Sequence, residues 1–153
     1  MLDLSAESFG HLGDYRSILG GWFDHPGVRT TLAIDPEQGP AGYVMQAFVR
    51  GEFDLQPVAD VIAVAVEPAM RRRGIARLLL RSALELAATE AGLIGAADRM
   101  RLEVAADNDA ARALFASLGF VHRPRGDGRY PNGQRYLCLE RRFESRATAA
   151  ARA

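Results

Sequence analysis

The chain has 153 residues, of which 48% are apolar and 25% carry a charge, and its 19 basic and 19 acidic side chains give a formal net charge of zero. This profile predicts one globular domain over residues 1–143, followed by a flexible arginine- and alanine-rich tail over 144–153. The single cysteine, Cys138, excludes an internal disulfide and any multi-cysteine metal site. The charge balance argues against a dedicated nucleic-acid binder.

The first half of the chain predicts helix followed by strands. One or two short helices are expected between Leu4 and Phe23, where glycines interrupt the apolar pattern. Strands are expected over Arg29–Ile34 and Gly42–Val49, joined as an antiparallel hairpin by the turn sequence DPEQGP. The stretch Val58–Val66 contains VIAVAV, which has no polar alternation and predicts a central strand covered on both faces.

The second half alternates helices and strands. A helix is expected over Gly74–Ala91 from apolar residues at helical spacing, and a strand over Arg99–Ala105 with Arg101 and Glu103 facing away from the apolar side. Asp107 and Asn108 are good N-caps for a helix ending at Leu118. The last strands are expected over Phe120–His122 and Gln134–Phe143. This order predicts an α+β, or mixed α/β, single domain with a twisted mixed sheet flanked by helices.

Several kinds of chemistry are excluded by composition. All 19 basic residues are arginine, so P-loop, Schiff-base and lysine-base chemistry are absent. The motifs HExxH, CxxC, GxSxG and GxGxxG do not occur, and the three histidines lie far apart, so no metal site is predicted. The longest apolar run, Val61 to Val66, is far shorter than the about 20 residues of a membrane span. We therefore expect a cytoplasmic protein without a membrane or nucleic-acid partner.

Three consecutive arginines, Arg71 to Arg73, precede Gly74 between the buried strand and the amphipathic helix. A helix N-terminus carries about half a positive charge, so arginines there repel the dipole and one another unless an anion lies between them. The unpaired N–H groups of the first turn point at the same place, and Gly74 allows a ligand to approach the backbone. These features indicate a phosphate or pyrophosphate site; the alternative is a solvated basic turn.

Two motifs resemble the GNAT superfamily of N-acetyltransferases. The sequence VAVEPAMRRRGIARLLL is similar to the family's acetyl-CoA signature Arg/Gln-x-x-Gly-x-Gly/Ala through Arg71, Gly74 and Ala76. LEVAADNDAARALFASLGF, over Leu102–Phe120, is similar to the family's strand followed by Asn-x-x-Ala-x-x-Leu-Tyr and then Gly-Phe. The residues that match this second motif are Asn108, Ala111, Leu114, Gly119 and Phe120. Together the motifs cover roughly residues 58–121, and they imply a GNAT-like fold.

The resemblance also implies acetyl-CoA as co-substrate and an amine as acceptor. The end of the buried strand would bind the pantetheine arm through its backbone, and the following backbone amides would hold the pyrophosphate. A bulge in that strand would splay it from the strand at Leu102 and leave a slot for the thioester. The residues implied to bind acetyl-CoA are Val64, Ala65, Val66, Arg71, Arg72, Arg73, Gly74, Ile75, Ala76, Asn108 and Phe115.

Phe115 departs from the family pattern. The family usually has a tyrosine there, proposed to protonate the departing thiolate, and a phenyl ring has no proton to give. Phe115 also fits the apolar core stripe of its helix. Protonation by water, protonation by another residue such as Tyr130, and a weak or inactive enzyme remain as alternatives.

Three carboxylates are candidates for the base that deprotonates the acceptor amine. Glu103 stands five residues before Asn108, where the alanine N-acetyltransferases of ribosomal proteins carry their base; this chain resembles that group there and in the segment GRYPNGQRYLCLERR. Asp60 begins the buried strand, where some GNAT protein-lysine acetyltransferases carry a glutamate. Glu67 precedes Pro68 at the strand end. The alternatives are a solvated or salt-bridged Glu103, an Asp60 that only bounds the strand, and a structural Glu67.

The function predicted from these residues is acetyl-CoA-dependent N-acetyl transfer to a primary amine by direct attack on the thioester. The alternative is a catalytically weak or silent CoA-binding domain. The acceptor stays open among a protein N-terminus, a protein lysine, a polyamine, an aminoglycoside and a small amino acid. A monomer and a homodimer are both compatible with the sequence.

Overall fold

The computed structural model describes Leu4, residues 15–52 and residues 54–143. The expected tail over 144–153 and most of the expected helical segment before Tyr15 lie outside these residues. Among the helices in the described ranges, none has both the length and the hydropathy to cross a membrane.

A mixed sheet of seven strands forms the centre of the molecule, and its path runs β1-β2-β3-β4-β7-β5, with β6 paired to β7. The strands are β1 (Val28–Asp35), β2 (Gly39–Val49), β3 (Val58–Val66), β4 (Arg99–Ala105), β5 (Val121–His122), β6 (Gly128–Arg129) and β7 (Arg135–Arg142). The helices are α1 (Tyr15–Phe23), α2 (Ile75–Ile94) and α3 (Asp109–Ser117), and single 3₁₀ turns occupy Pro68–Met70 and Pro124–Gly126. The predicted mixed α/β class is confirmed.

The predicted elements agree with the structure except at turns. The bounds of β3 and β4 are as predicted. The turn predicted at DPEQGP is present but shorter, because β1 runs to Asp35 and β2 begins at Gly39, which leaves residues 36–38 as the turn. The two-residue strand β6 was not expected; it has no apolar pattern of its own and exists through pairing with β7.

The two faces of the sheet are packed differently. On one face, Leu102 and Val104 of β4 share a core with residues of α2 and α3, including Leu80 and Phe115. On the other face, a smaller core forms on β1, β2 and β3 with Leu4 and Leu19. Because side chains alternate along a strand, Arg101 and Glu103 lie on this second face, beyond the edge of its apolar cluster. The second face is therefore apolar at one side and charged at the other.

Candidate functional site

An open slot begins where β3 and β4 separate. The two strands pair in parallel at Ala59, Asp60 and Val61 only, although both continue for several residues. The register between β2 and β3 skips Ile62, and Ile62 and Ala63 both pack toward the second-face core, so β3 carries a bulge at this point. The bulge turns the rest of β3 away from β4. This is the strand separation that the sequence resemblance implied.

The edge of β3 that faces the slot offers unpaired backbone groups. The Glu67 N–H donates to the Ala41 carbonyl of the neighbouring strand β2 at 2.9 Å. Because successive residues of a strand direct their backbone groups to opposite edges, the N–H and C=O groups of Val64 and Val66 face the slot. The Val66 carbonyl accepts from Arg71 Nε at 3.2 Å. The Val64 groups have no strand partner across the slot, since the pairing with β4 ends at Val61.

The loop after β3 leads into a helix without a side-chain cap. Gly74 is the N-cap of α2 with φ +82°, and no acidic residue occupies the first turn. The first helical bond runs from Leu78 N–H to the Gly74 carbonyl at 3.0 Å. No acceptor within residues 15–52 and 54–143 lies opposite the amide N–H groups of Arg72 through Arg77. A helix start with exposed amides and a positive dipole end is suited to an anion.

Backbone strain is concentrated in the same loop. Arg72 has φ +63°, and it is the one non-glycine residue with positive φ among the described residues. Such a conformation is uncommon for residues with a Cβ and is often found at ligand-binding segments. At Gly74 an added Cβ would meet no atom within 4 Å. Glycine is therefore favoured at this position by its backbone angle and not by lack of space.

Asn108 caps α3 at the same edge of the sheet. Its side-chain oxygen accepts from the Ala111 N–H at 3.1 Å, and the residue is exposed. The cap uses the amide oxygen and leaves the NH₂ group to donate elsewhere. Since α3 follows β4 as α2 follows β3, both helices begin beside the carboxyl ends of two parallel strands that diverge, which is where open α/β sheets bind ligands.

Phe115 lies in the core. Its side chain is 5% exposed and meets the ring of Phe120 edge to face, with the centroids 6.0 Å apart. It packs among the residues that join α3 to the sheet. The sequence allows Phe115 to lie either in the core or beside the slot, and its side chain packs in the core.

Glu103 lies on β4 just past the point of separation. Its side chain is exposed, and Tyr136 of β7 is a neighbour that interacts with the carboxylate. Surrounding protein atoms displace part of its hydration and raise the pKa of Glu103, and the negative charge of Asp60 adds to this rise. The Tyr136 hydroxyl and the charge of Arg101 oppose this rise in pKa. A carboxylate with a raised pKa beside a slot is suited to proton transfer.

Asp60 is held in an ion-pair network on the same face. Arg101 donates to Asp60 Oδ2 from Nε at 3.3 Å and from Nη2 at 3.2 Å, and it also donates to Asp54 at 3.1 Å. Arg99 contacts the other oxygen of Asp54 at 2.7 Å. Burial raises the pKa of Asp60 and Arg101 opposes that effect. The network satisfies much of the Asp60 carboxylate, so Glu103 is the less constrained of the two.

The other two candidate catalytic residues, Glu67 and Tyr130, lie in different surroundings. Glu67 is half-buried at the end of β3, and its carbonyl accepts from Met70 N–H at 2.8 Å to start the 3₁₀ turn. This placement agrees with the structural alternative for Glu67. Tyr130 stands in the turn before β7, with its ring 5.2 Å from that of Tyr136. The structure thus brings Glu103, Asp60 and Tyr130 to one face and leaves Glu67 at the far end of the strand.

Sequence reasoning missed Tyr136, Arg101 and Asp54 as members of this cluster. Their proximity depends on cross-strand register: Glu103 pairs with Cys138, and Ala105 with Tyr136. Alternation along β7 could have placed Tyr136, Cys138 and Glu140 on one face, but the register against β4 could not be read from the sequence alone.

Comparisons with known proteins agree with this arrangement. Residues 3–120 match the family model described as the Acetyltransferase (GNAT) family. Mycothiol acetyltransferase of Kocuria rhizophila is 33% identical over 110 residues, which are 71% of this chain and 35% of that protein. N-alpha-acetyltransferase RimI of Mycobacterium tuberculosis is 44% identical over 61 residues, which are 40% of this chain and 34% of that protein. The matched parts span about a third of each of these relatives.

Solved structures share the fold at low sequence identity. NAA60 of Arabidopsis thaliana, solved with a bisubstrate analogue, has a TM-score of 0.66 and 14% identity, with 85% of this chain and 83% of that chain covered. The ribosomal-protein-S18-alanine N-acetyltransferase of Escherichia coli has a TM-score of 0.61 and 22% identity, with 84% and 77% covered. Because the family model matches most of the sequence and the diverging strands carry both family motifs, this chain belongs to the GNAT acetyltransferase family.

Proposed function

We propose that this chain is an acetyl-CoA-dependent N-acetyltransferase that acts on a primary amine. The observation that carries the proposal is the convergence of three features at one edge of the sheet. These are the unpaired edge of β3, the uncapped start of α2, and a carboxylate with a raised pKa at Glu103. The first two suit a long molecule with a phosphate-bearing end, and the third suits proton removal from an amine.

Each part of the slot has a role in this proposal. The amides of Arg72 to Ala76 and the flanking guanidinium groups bind the pyrophosphate of acetyl-CoA. The backbone of Val64 and Val66 bonds the pantetheine arm as an added strand would, with Ala65 between them, and the Asn108 amide donates from α3. Arg71 holds the Val66 carbonyl and so fixes the end of the strand. Binding in this form places the thioester beside the acceptor amine.

Glu103 is the proposed general base, acting directly or through a water molecule. An α-amine with a pKa of about 8 is roughly one-tenth neutral at pH 7, whereas a lysine amine with a pKa of about 10.4 is almost wholly protonated. An acceptor α-amine therefore needs only modest help, which one carboxylate can give. Because the pKa of Glu103 is raised, the acid limb of the kcat/KM profile should lie above the usual range of a glutamate.

Protonation of the leaving thiolate does not involve Phe115, which has no exchangeable proton and packs in the core. Water or Tyr130 supplies the proton in this proposal. A CoA thiolate is a moderately good leaving group, so the loss of a dedicated acid costs rate without preventing the reaction.

Replacing Glu103 tests the proposal. Glu103→Gln should lower kcat/KM by roughly 100-fold, the low end for general acid–base catalysis. Acetyl-CoA affinity measured by calorimetry should stay nearly unchanged, and the defect should shrink as the pH rises and free amine accumulates. Glu85→Gln is the matched control, because it removes the same charge from an exposed position on α2. Full activity of Glu103→Gln at pH 7 would transfer the role to Asp60, and loss of CoA binding would make Glu103 structural.

A catalytically silent CoA-binding domain is the second candidate, favoured by the buried Phe115. Turnover separates the two functions: release of free CoA with a panel of amines and peptides supports the enzyme, and binding without turnover on any of them supports the silent domain. The relatives named for mycothiol and for N-alpha-amines suggest which acceptors to include first. A cytoplasmic location stays a prediction.

A further inference from the structure

The position of Tyr136 on β7 links the last hairpin to Glu103. Tyr136 pairs with Ala105 of β4, and Glu103 pairs with Cys138, so the two side chains are diagonal neighbours on one face of an antiparallel pair. Diagonal neighbours of this kind are within reach of each other when one side chain is aromatic. The Tyr136 hydroxyl and the Glu103 carboxylate lie close enough for each to affect the proton affinity of the other.

The Tyr136 side chain is confined on two sides. On β6, a Cβ at Gly128 would lie 2.5 Å from the Tyr136 Oη and 2.6 Å from its Cζ, so only glycine leaves room for the phenol there. Tyr130 covers another side of the ring at a centroid distance of 5.2 Å. These two contacts restrict where the ring can lie, and restricted motion is a requirement for orienting a second group.

We infer that Tyr136 is a positioning residue for Glu103, holding its carboxylate toward the slot through the phenolic hydrogen bond. The inference deepens the proposed function and rests on it, since Glu103 matters to rate only if it is the base. Tyr136 itself does not touch substrate in this proposal. It fixes one Glu103 oxygen and leaves the other to accept a proton from the amine or from a bridging water.

The hydrogen bond also affects the proton affinity of Glu103. A phenol that donates to a carboxylate stabilises the charged form, so it lowers the pKa, against the rise caused by partial loss of hydration and by Asp60. Removing the phenolic hydroxyl should therefore raise the pKa of Glu103. The acid limb of kcat/KM should then move to higher pH, whereas a purely structural role for Tyr136 would leave that limb in place.

The test is Tyr136→Phe, which keeps the ring between Gly128 and Tyr130. We expect kcat to fall about tenfold, the low end for loss of a hydrogen bond to a charged group. The KM for acetyl-CoA should be unchanged, and the acid limb should rise by roughly half to one pH unit. A second variant, Gly128→Ala, moves the phenol without removing it and should reproduce the shift.

The double variant Glu103→Gln/Tyr136→Phe tests the positioning role of Tyr136 separately from the role of Glu103 as the base. If Glu103→Gln is impaired and Tyr136→Phe adds nothing to it, the two residues act as one unit and the inference holds. If Glu103→Gln is impaired but Tyr136→Phe has wild-type rate and pH limb, the inference is wrong and the base assignment stands. If Glu103→Gln is fully active, the proposed base itself is wrong, and the inference is overturned with it.

Discussion

Two helices of this chain begin at the same edge of the sheet and begin in opposite ways. α3 starts with Asn108, whose side chain accepts from the Ala111 N–H, and Asp109 places a negative charge in the first turn. α2 starts with Gly74 in a left-handed conformation, without a side-chain cap or an acidic residue in the first turn. Arginines precede α2 where an acidic residue would suit the dipole.

The difference separates a start that is stabilised by its own side chains from one that we propose to bind an anion. A capped start bonds one of its free amides and offsets part of its dipole, as α3 does through Asn108 and Asp109. The start of α2 leaves its amides free and adds like charge to them, which costs stability unless an anion binds. The same physical rule that predicts the cap of α3 therefore points to the uncapped start of α2 as the proposed anion site.

A negative charge at the start of α2 should have the largest effect on the proposed anion binding at that helix. Gly74→Glu places a carboxylate where the pyrophosphate is proposed to bind, and repulsion should weaken acetyl-CoA binding by at least about 100-fold, or roughly 2.7 kcal/mol. Calorimetry with acetyl-CoA measures this directly. The matched control is Gly74→Gln, which has nearly the same size and the same unfavourable positive φ but no charge.

The pair of variants separates charge from strain. Any residue with a Cβ is strained in the left-handed region by about 1–2 kcal/mol, so both variants should be less stable than the wild type. Only Gly74→Glu should lose nearly all binding. Equal affinities of the two variants for acetyl-CoA would show that charge is not recognised at this helix start and would contradict the pyrophosphate assignment.

The contrast between the two helices was predictable because it depends on local sequence. The cap, the glycine and the three arginines each lie within a few residues of a helix start. The uninterrupted apolar run of β3 is likewise visible in one short stretch of sequence. The bulge at Ile62 is different, since its position depends on which β2 residues β3 pairs with. Local sequence therefore predicts the two elements at the slot, and tertiary pairing determines where the slot opens.

The charged side of the second sheet face shows more clearly what local sequence cannot predict. Arg101 lies 47 residues after Asp54 and 41 residues after Asp60 in the sequence, yet ion pairs join it to both carboxylates. The contact between Glu103 and Tyr136 likewise requires the register of β4 against β7. No periodicity within one strand contains that information, so the sequence predicts Glu103 as a candidate base but not which side chains surround it.

Phe115→Tyr tests whether the buried side of α3 is closed to the slot. The phenyl ring is 5% exposed and packs on Phe120, so an added hydroxyl would be buried without an evident partner. We expect a loss of roughly 1–3 kcal/mol in the free energy of unfolding and no gain in rate. Thermal or denaturant unfolding measures the first and CoA release the second. A stable variant with a higher rate would instead show that this position faces the thiolate, as the tyrosine of the family is proposed to do.

Asn108→Ala should remove the cap that distinguishes α3 from α2. Loss of an N-cap costs about 1 kcal/mol, which corresponds to a fall in Tm of roughly 2–4 °C for a chain of this size. Asn108→Asp is the matched variant, because a carboxylate still accepts from the Ala111 N–H and also suits the helix dipole. It should retain the Tm of the wild type.

The two variants should nevertheless share a second defect, since both lack the amide NH₂ group proposed to donate to the pantetheine arm. One such hydrogen bond contributes roughly 0.5–1.5 kcal/mol, so acetyl-CoA affinity should fall about two- to tenfold in each. Wild-type affinity in Asn108→Asp would leave Asn108 as a cap alone, and the two helix starts would then differ in function as completely as they differ in structure.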